Sequence, residues 1–204
     1  MRLRFKITFA LLLTVAAVST RPASAQTSSE LAFNAESPYR ADLALGYSYM
    51  RSNAPPGGCG CFNLNGGSAA FAWAVKPGSW ALVGDVVSGY SGSASAAGYG
   101  LTLTAFTAGV RYLPHVGHSS LHPFAQALVG VAHASGSLVQ GSNTAATNAG
   151  AAFAGNFGGG LDLHATPRIS IRLVEADYLL TTFDNGSNNH QNNLRISTGI
   201  VLHF

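Results

Sequence analysis

Two cysteines, seven histidines and a few carboxylates are the side chains of this 204-residue chain that could carry chemistry. Both cysteines fall in the stretch Pro55-Pro56-Gly57-Gly58-Cys59-Gly60-Cys61-Phe62. In an oxidising compartment two thiols one residue apart join as a disulfide, and the small ring they close is strained and easily reduced. Metal binding by Cys59 and Cys61 needs ligands beyond two thiolates, and only scattered histidines are on offer. We expect the disulfide. His115, His118 and His122 cluster in sequence, but their spacing fits no specific metal-ligand pattern. His133 and Ser135 invite comparison with acyl hydrolases, which need an acidic third member to orient the histidine; none is placed with them. Glu175 and Asp177 have the makings of a catalytic or channel-lining carboxylate pair, against which stands a simpler role, ion pairing with nearby arginines. Asn185-Gly186-Ser187 matches the N-x-S acceptor pattern and reads better as a turn. No catalytic constellation and no cofactor are expected from these residues.

The elements that position them follow from composition. The chain is 47% hydrophobic but only 9% charged, with 24 glycines and a formal net charge of +3. Soluble domains carry roughly 25% charged residues, so an ordinary cytosolic surface is excluded. Past the first 20 or so residues no apolar run reaches the 18 or so that a membrane helix needs, which excludes a polytopic helical protein. Arg2, Arg4 and Lys6, the apolar run Ile7 to Val18, and Ala23-Ser24-Ala25 form the three parts of a secretory signal peptide. Cleavage is expected before Gln26, and no cysteine follows that would carry a lipid anchor. The mature chain then holds seven basic residues against eight acidic ones, a net charge of −1. Its basicity leaves with the signal, and with it the electrostatic case for nucleic-acid binding.

Beyond Pro38 the chain repeats one device, about ten residues with alternate positions apolar and then a cluster of Gly, Asn, Ser or Pro. Period-two alternation predicts strands, and we place eight: Tyr39 to Arg51, Ser68 to Val75, Trp80 to Tyr90, Leu101 to Leu113, Pro123 to His133, Ala151 to Leu163, Ile169 to Thr181 and Leu194 to Phe204. Short connections (Lys76 to Ser79, Pro114 to Ser120, His164 to Arg168) alternate with long ones (Ser52 to Gly67, Ser91 to Gly100, Ala134 to Gly150, Thr182 to Asn193). Tight turns at one end and long loops at the other predict an all-β fold, an eight-stranded antiparallel up-and-down transmembrane barrel spanning residues 39–204. The signal peptide (1–25) and a periplasmic segment (26–38) precede it.

A soluble sandwich or lipocalin-like barrel also has eight or so alternating strands. Three features weigh against it: the second face of each strand holds Gly, Ala, Ser and isolated ionisable groups; Tyr47, Trp73, Trp80, Tyr90, Tyr112 and Tyr178 sit near strand ends; and the last strand ends on Phe204. With the apolar face toward lipid, Asp42, Asp85, Arg111, Asp162, Arg172, Glu175, Asp177 and Arg195 point inward as a charge network that plugs the lumen. One strand breaks the alternation. Ile171 and Leu173 share a parity with Glu175 and Asp177, whereas Arg172 has the opposite one. A charge on the lipid face costs up to about 2–4 kcal/mol, so we predict a β-bulge near Val174 that turns Arg172, Glu175 and Asp177 all inside.

The signal peptide, eight strands, mixed-charge lumen and terminal Phe204 together resemble the small outer-membrane β-barrel family typified by the transmembrane domain of outer-membrane protein A. The Cys59-Gly60-Cys61 stretch, Phe124-Ala125-Gln126, Ile171 to Leu180 and Gln191 to Ser197 look like a Gram-negative subgroup of this kind. The resemblance implies an integral place in the outer membrane, with lipid, lipopolysaccharide and the barrel-insertion machinery as partners. It implies that Ile200, Leu202 and Phe204 serve as the insertion signal, and that the chain is a monomer without a cell-wall-binding domain. It leaves the role open among a structural or surface-binding protein acting through its loops, a narrow channel for small or hydrophobic solutes, and a lipid-modifying enzyme.

Overall fold

The computed structural model describes residues 40–52, 61–76, 79–94, 100–114, 116, 119–136, 149–183 and 189–204. Every regular element among them is a strand: β1 (Ala41–Ser52), β2 (Phe62–Lys76), β3 (Trp80–Ser91), β4 (Leu101–Tyr112), β5 (Leu121–Gly136), β6 (Ala149–Thr166), β7 (Ile169–Thr181) and β8 (Gln191–His203). Consecutive strands pair antiparallel, and β8 returns to β1 to close the barrel. The closing seam runs from Asp42↔His203 to Ser52↔Asn193. Phe204 lies just past β8 and remains tied in, since its N–H donates to the Ala41 carbonyl (2.8 Å) and its carbonyl accepts from the Arg40 N–H (2.9 Å). The segments 1–25 and 26–38, together with Cys59, His115 and His118, lie outside the described residues.

Closure removes every sheet edge, so the backbone hydrogen bonds are satisfied without water. What remains exposed is the outer face, and it is apolar: Leu45, Phe71, Leu82, Phe106, Val129, Phe157, Leu173 and Ile200 are among the large hydrophobic side chains left in the open. A continuous surface of this kind suits lipid and not water. Aromatic residues border it. Trp73, Trp80 and Tyr112 stand toward the short-turn end, Trp80 and Tyr112 with ring centroids 4.9 Å apart. Toward the long-loop end, outward tyrosines donate to outward asparagines of the next strand: Tyr47 to Asn65 (2.6 Å), Tyr49 to Asn63 (2.8 Å) and Tyr178 to Asn192.

Two expectations change in detail. The first long connection is shorter than its Gly/Asn content suggests, because β2 already begins at Phe62. Asn63 and Asn65 are strand residues whose polarity serves these tyrosine contacts, and Gly66 is needed because a Cβ there would stand 1.8 Å from the Ser88 carbonyl oxygen. The fifth strand, whose faces the pattern leaves undecided, turns Phe124, Gln126, Leu128, Ala132 and Ala134 inward and His133 outward. It ends on Gly136 at φ 123°, a left-handed conformation that suits glycine.

The predicted bulge is present. Pairing between β7 and β8 shifts between Arg172 and Glu175, leaving Leu173 and Val174 side by side on the outer face. Arg172, Glu175 and Asp177 are all turned inward and buried.

Candidate functional site in the barrel lumen

The lumen is stratified. At the long-loop end its wall is apolar: Met50, Leu64, Val87, Leu101, Leu103, Ala132, Ala154 and Leu179 form one buried cluster, with Phe62 and Phe183 packed against it. Strands β1 to β7 each contribute a residue of inward parity here, and β8 adds Asn193, whose amide donates to the Leu179 carbonyl (2.8 Å), so this half is filled mostly by hydrocarbon. Below it lie the charges. The sequence pattern does not separate this apolar layer from the lipid-facing residues, because in β4 both faces carry hydrophobic side chains.

The charge network centres on three arginines. Arg195 on β8 grips Asp85 on β3 through two bonds (2.7 and 3.1 Å), a bidentate pair with both side chains 1% exposed. Asp177 at 3.6 Å and Glu175 at 3.9 Å complete its surroundings. Arg172 donates twice to Asp162 (2.8 and 3.0 Å) and once to Glu175 (2.7 Å). Forked guanidinium geometry of this kind makes the strongest class of protein hydrogen bond. With Asp85, Asp162, Glu175 and Asp177 against three arginines, the cluster carries one carboxylate in excess.

Arg111 does not enter this network as an ion pair among the described residues. Its guanidinium donates twice to the Oε1 of Gln126 (3.1 and 2.7 Å) and stacks 4.2 Å from the centroid of Phe124, which holds Arg172 at 4.5 Å as well. One aromatic ring thus sits between two cations. Gln126 then passes the interaction on, its Nε2 donating to Glu175 (2.7 Å) and more weakly to Asp177 (3.3 Å). An amide both accepts and donates, which lets it link a cation to an anion. Sequence reasoning missed Gln126 and Phe124 as network members: neither is charged, and a strand with undecided faces gave no parity from which to place them inward.

Asp42 is also inward but stands apart, at the short-turn end. It accepts from Nδ1 of His203 at 2.6 Å, while Nε2 of His203 lies 2.7 Å from Ser170 Oγ. On the other side of that hydroxyl is Nδ1 of His164 at 3.2 Å. The His164 ring lies 5.7 Å from that of His203 and 5.9 Å from that of His122. A polar belt therefore runs from β1 through β8, β7 and β6 to β5 across the mouth of the lumen. These residues are far apart in sequence, and barrel closure alone brings Asp42 to His203.

Other candidate residues stay separate. His133 projects from the outer face, with Ser135 two residues on, and no carboxylate pairs with it among the described residues. Cys61 is exposed beside β2 as a free thiol, in place of the disulfide expected with Cys59, which lies outside the described residues. Among the described residues no three His, Cys, Asp or Glu side chains are placed to share a metal ion. Ile200 and Phe204 are exposed on the outer face. A cavity of about 10 Å³ lies beside Asp85, Arg172, Glu175 and Arg195, room for a water and not for a solute.

No protein-family model matches the chain, and no curated protein matches it. Solved structures do. The chain is similar to Ail, the attachment invasion locus protein of Yersinia pestis, with a TM-score of 0.55 and 16% identity over 81% of this chain and 99% of that one. Ail has also been solved in complex with the heparin analogue sucrose octasulfate (TM-score 0.53, 16% identity, covering 81% and 99%). Neisserial surface protein A is similar at a TM-score of 0.59 and 13% identity, covering 80% of this chain and 97% of that one. The fold is thus that of the small eight-stranded outer-membrane β-barrels.

Proposed function

We propose that the chain is an integral outer-membrane protein with a structural or surface-binding role, exercised through the long connections on one end of a closed barrel. The observation that carries this is the lumen, filled by hydrocarbon at the long-loop end and by buried ion pairs beneath. A solute would have to displace both layers, and separating one buried pair costs about 3–5 kcal/mol. Transport is therefore not what the interior is built for.

Orientation follows the rule for such barrels, short turns toward the periplasm and long loops outside. The outward Tyr–Asn pairs then stand at the level of the outer-leaflet headgroups, where lipopolysaccharide is the neighbouring lipid. Ile200, Leu202 and Phe204, on the outer face at the end of the last strand, suit recognition by the insertion machinery. The long connections contain no Lys or Arg, so a sulfated polyanion of the sort bound by Ail is a poor match. Their Asn, Ser, Thr and Gly suit an uncharged, hydrogen-bonding surface partner.

The test has two arms. Purified folded protein in a planar bilayer should pass no current; a stable conductance would refute the plug. Cells displaying the barrel should adhere to a host or sister-cell surface, and deleting Asn53 to Gly60 should reduce that adhesion while membrane assembly and heat-modifiable gel migration persist. Unchanged adhesion after deletion of each long connection in turn would refute the surface-binding role.

A further inference from the structure

We infer that Ser170, His203 and Asp42 form a nucleophilic hydrolase centre at the short-turn mouth of the barrel, acting on small, unhindered carboxylic esters. The juxtaposition has the atomic order that acyl transfer requires. Asp42 accepts the Nδ1 proton of His203 at 2.6 Å, which leaves Nε2 with its lone pair, and that lone pair faces Ser170 Oγ at 2.7 Å. Carboxylate, imidazole and hydroxyl therefore stand in the sequence acid, base, nucleophile, with the ring tautomer set by its partners. Nothing in the fold demands this order. A purely structural belt would be served equally by the hydroxyl on Nδ1 and the carboxylate on Nε2.

His164 adds a second imidazole on the far side of the same hydroxyl. Ser170 has one proton and gives it to His203, so His164 must offer its Nδ1–H to the oxygen. That bond holds the Ser170 oxygen in place and leaves its proton directed at His203. The chain of partners also separates this centre from the charge network, whose arginines are occupied by Asp85, Asp162, Glu175 and Gln126.

Access sets the substrate class. The side chains of Asp42 and His203 are 34% and 15% exposed, whereas Ser170 sits one layer deeper at 2%. A hydroxyl so enclosed suits small, short-chain acyl groups over branched or polymeric ones. In the reaction Ser170 Oγ attacks the ester carbonyl while His203 Nε2 takes its proton. The tetrahedral carbon expels the alcohol, which leaves with that proton, and an ester to Ser170 remains. Water then attacks this acyl-enzyme, giving its proton to His203, and the carboxylic acid departs as Ser170 recovers its hydrogen. No oxidant, metal or second substrate beyond water is needed.

The experiment uses the full chain in its folded, heat-modifiable form. A fluorophosphonate probe should phosphonylate Ser170, located by peptide mapping, and p-nitrophenyl acetate should be turned over. Ser170→Ala should abolish both. His203→Gln should lower turnover by roughly 100-fold or more, the contribution of a positioned general base. Asp42, a positioning residue, should show a split: Asp42→Asn lowers kcat with KM unchanged, and Asp42→Glu restores part of it. An unlabelled Ser170 in folded wild-type protein overturns the proposal without reference to any variant. So does ester turnover that survives Ser170→Ala.

Discussion

The pair Arg195–Asp85 makes an asymmetric prediction. Removing either partner strands the other in a buried site, a change that typically costs about 3–5 kcal/mol. The two removals are not equivalent here. If Asp85 is replaced by Ala, Arg195 still has Asp177 at 3.6 Å and Glu175 at 3.9 Å, and the network becomes balanced at three carboxylates to three arginines. Asp85→Ala should therefore fall near the lower bound, about 3 kcal/mol. If Arg195 is replaced by Met, Asp85 loses its ion-pair partner among the described residues, and four carboxylates face two arginines. Arg195→Met should reach about 5 kcal/mol. The difference of about 2 kcal/mol amounts to a factor of roughly 30 in the unfolding equilibrium. The double variant should cost less than the sum of the singles by about 3 kcal/mol, since each change removes the charge that the other strands. The assay is urea unfolding from lipid vesicles followed by tryptophan fluorescence, with Trp73 and Trp80 on the lipid face as reporters. Equal costs, or a larger cost for Asp85→Ala, would refute the counting of partners. Additive costs would refute the pairing itself.

Deleting Leu173 and Val174 together places Glu175 directly after Arg172, so that an alternating ladder turns Glu175 and Asp177 to the lipid face; the variant should fail to assemble, read as loss of heat-modifiable migration. Gly158→Val should have the same outcome, because a Cβ at this position already meets the Ala176 carbonyl oxygen and Asp177 Oδ1 at 2.2 Å. Gln126→Leu should destabilise the barrel by about 3 kcal/mol or more in the same urea titration, as Arg111 and Glu175 both lose a hydrogen bond to a charged group.

How much of this could be read beforehand depends on where the two faces of a strand differ. In β1, β2 and β7 an apolar face opposes Gly, Ala, Ser or charge, and alternation alone assigns lipid and lumen. The bulge was legible for an energetic reason: Arg172 and Glu175 could not both face inward without it. Leu101 and Leu103 were not separable from lipid-facing residues, because the alternating Thr102 and Thr104 are tolerated on either side. Partners were less accessible than faces. Which carboxylate meets Arg195 depends on the stagger of eight strands around the barrel, and no single strand records that. Asp42 has the inward parity of its strand, yet its histidine lies 161 positions away in sequence, and only the register of the closing seam joins them. Ser170 and His203 carry no local motif at all, so the short-turn belt was invisible until the ring closed.

The Arg195–Asp85 pair joins strands that are not neighbours, across a sequence separation of 110 residues. Its formation therefore waits on the last strand. Until β8 docks on β1, Arg195 has only Asp177 and Glu175 of the neighbouring β7 and Asp85 has no counter-charge, so an unclosed sheet leaves the Asp85 charge unneutralised. Docking and neutralisation become one event, and a sheet that closes in the wrong register brings the wrong side chains together and keeps the electrostatic cost. The buried ion pair thus acts as a checkpoint on assembly: only the correctly closed ring is free of stranded charge, and errors of strand pairing are penalised while the barrel is still forming.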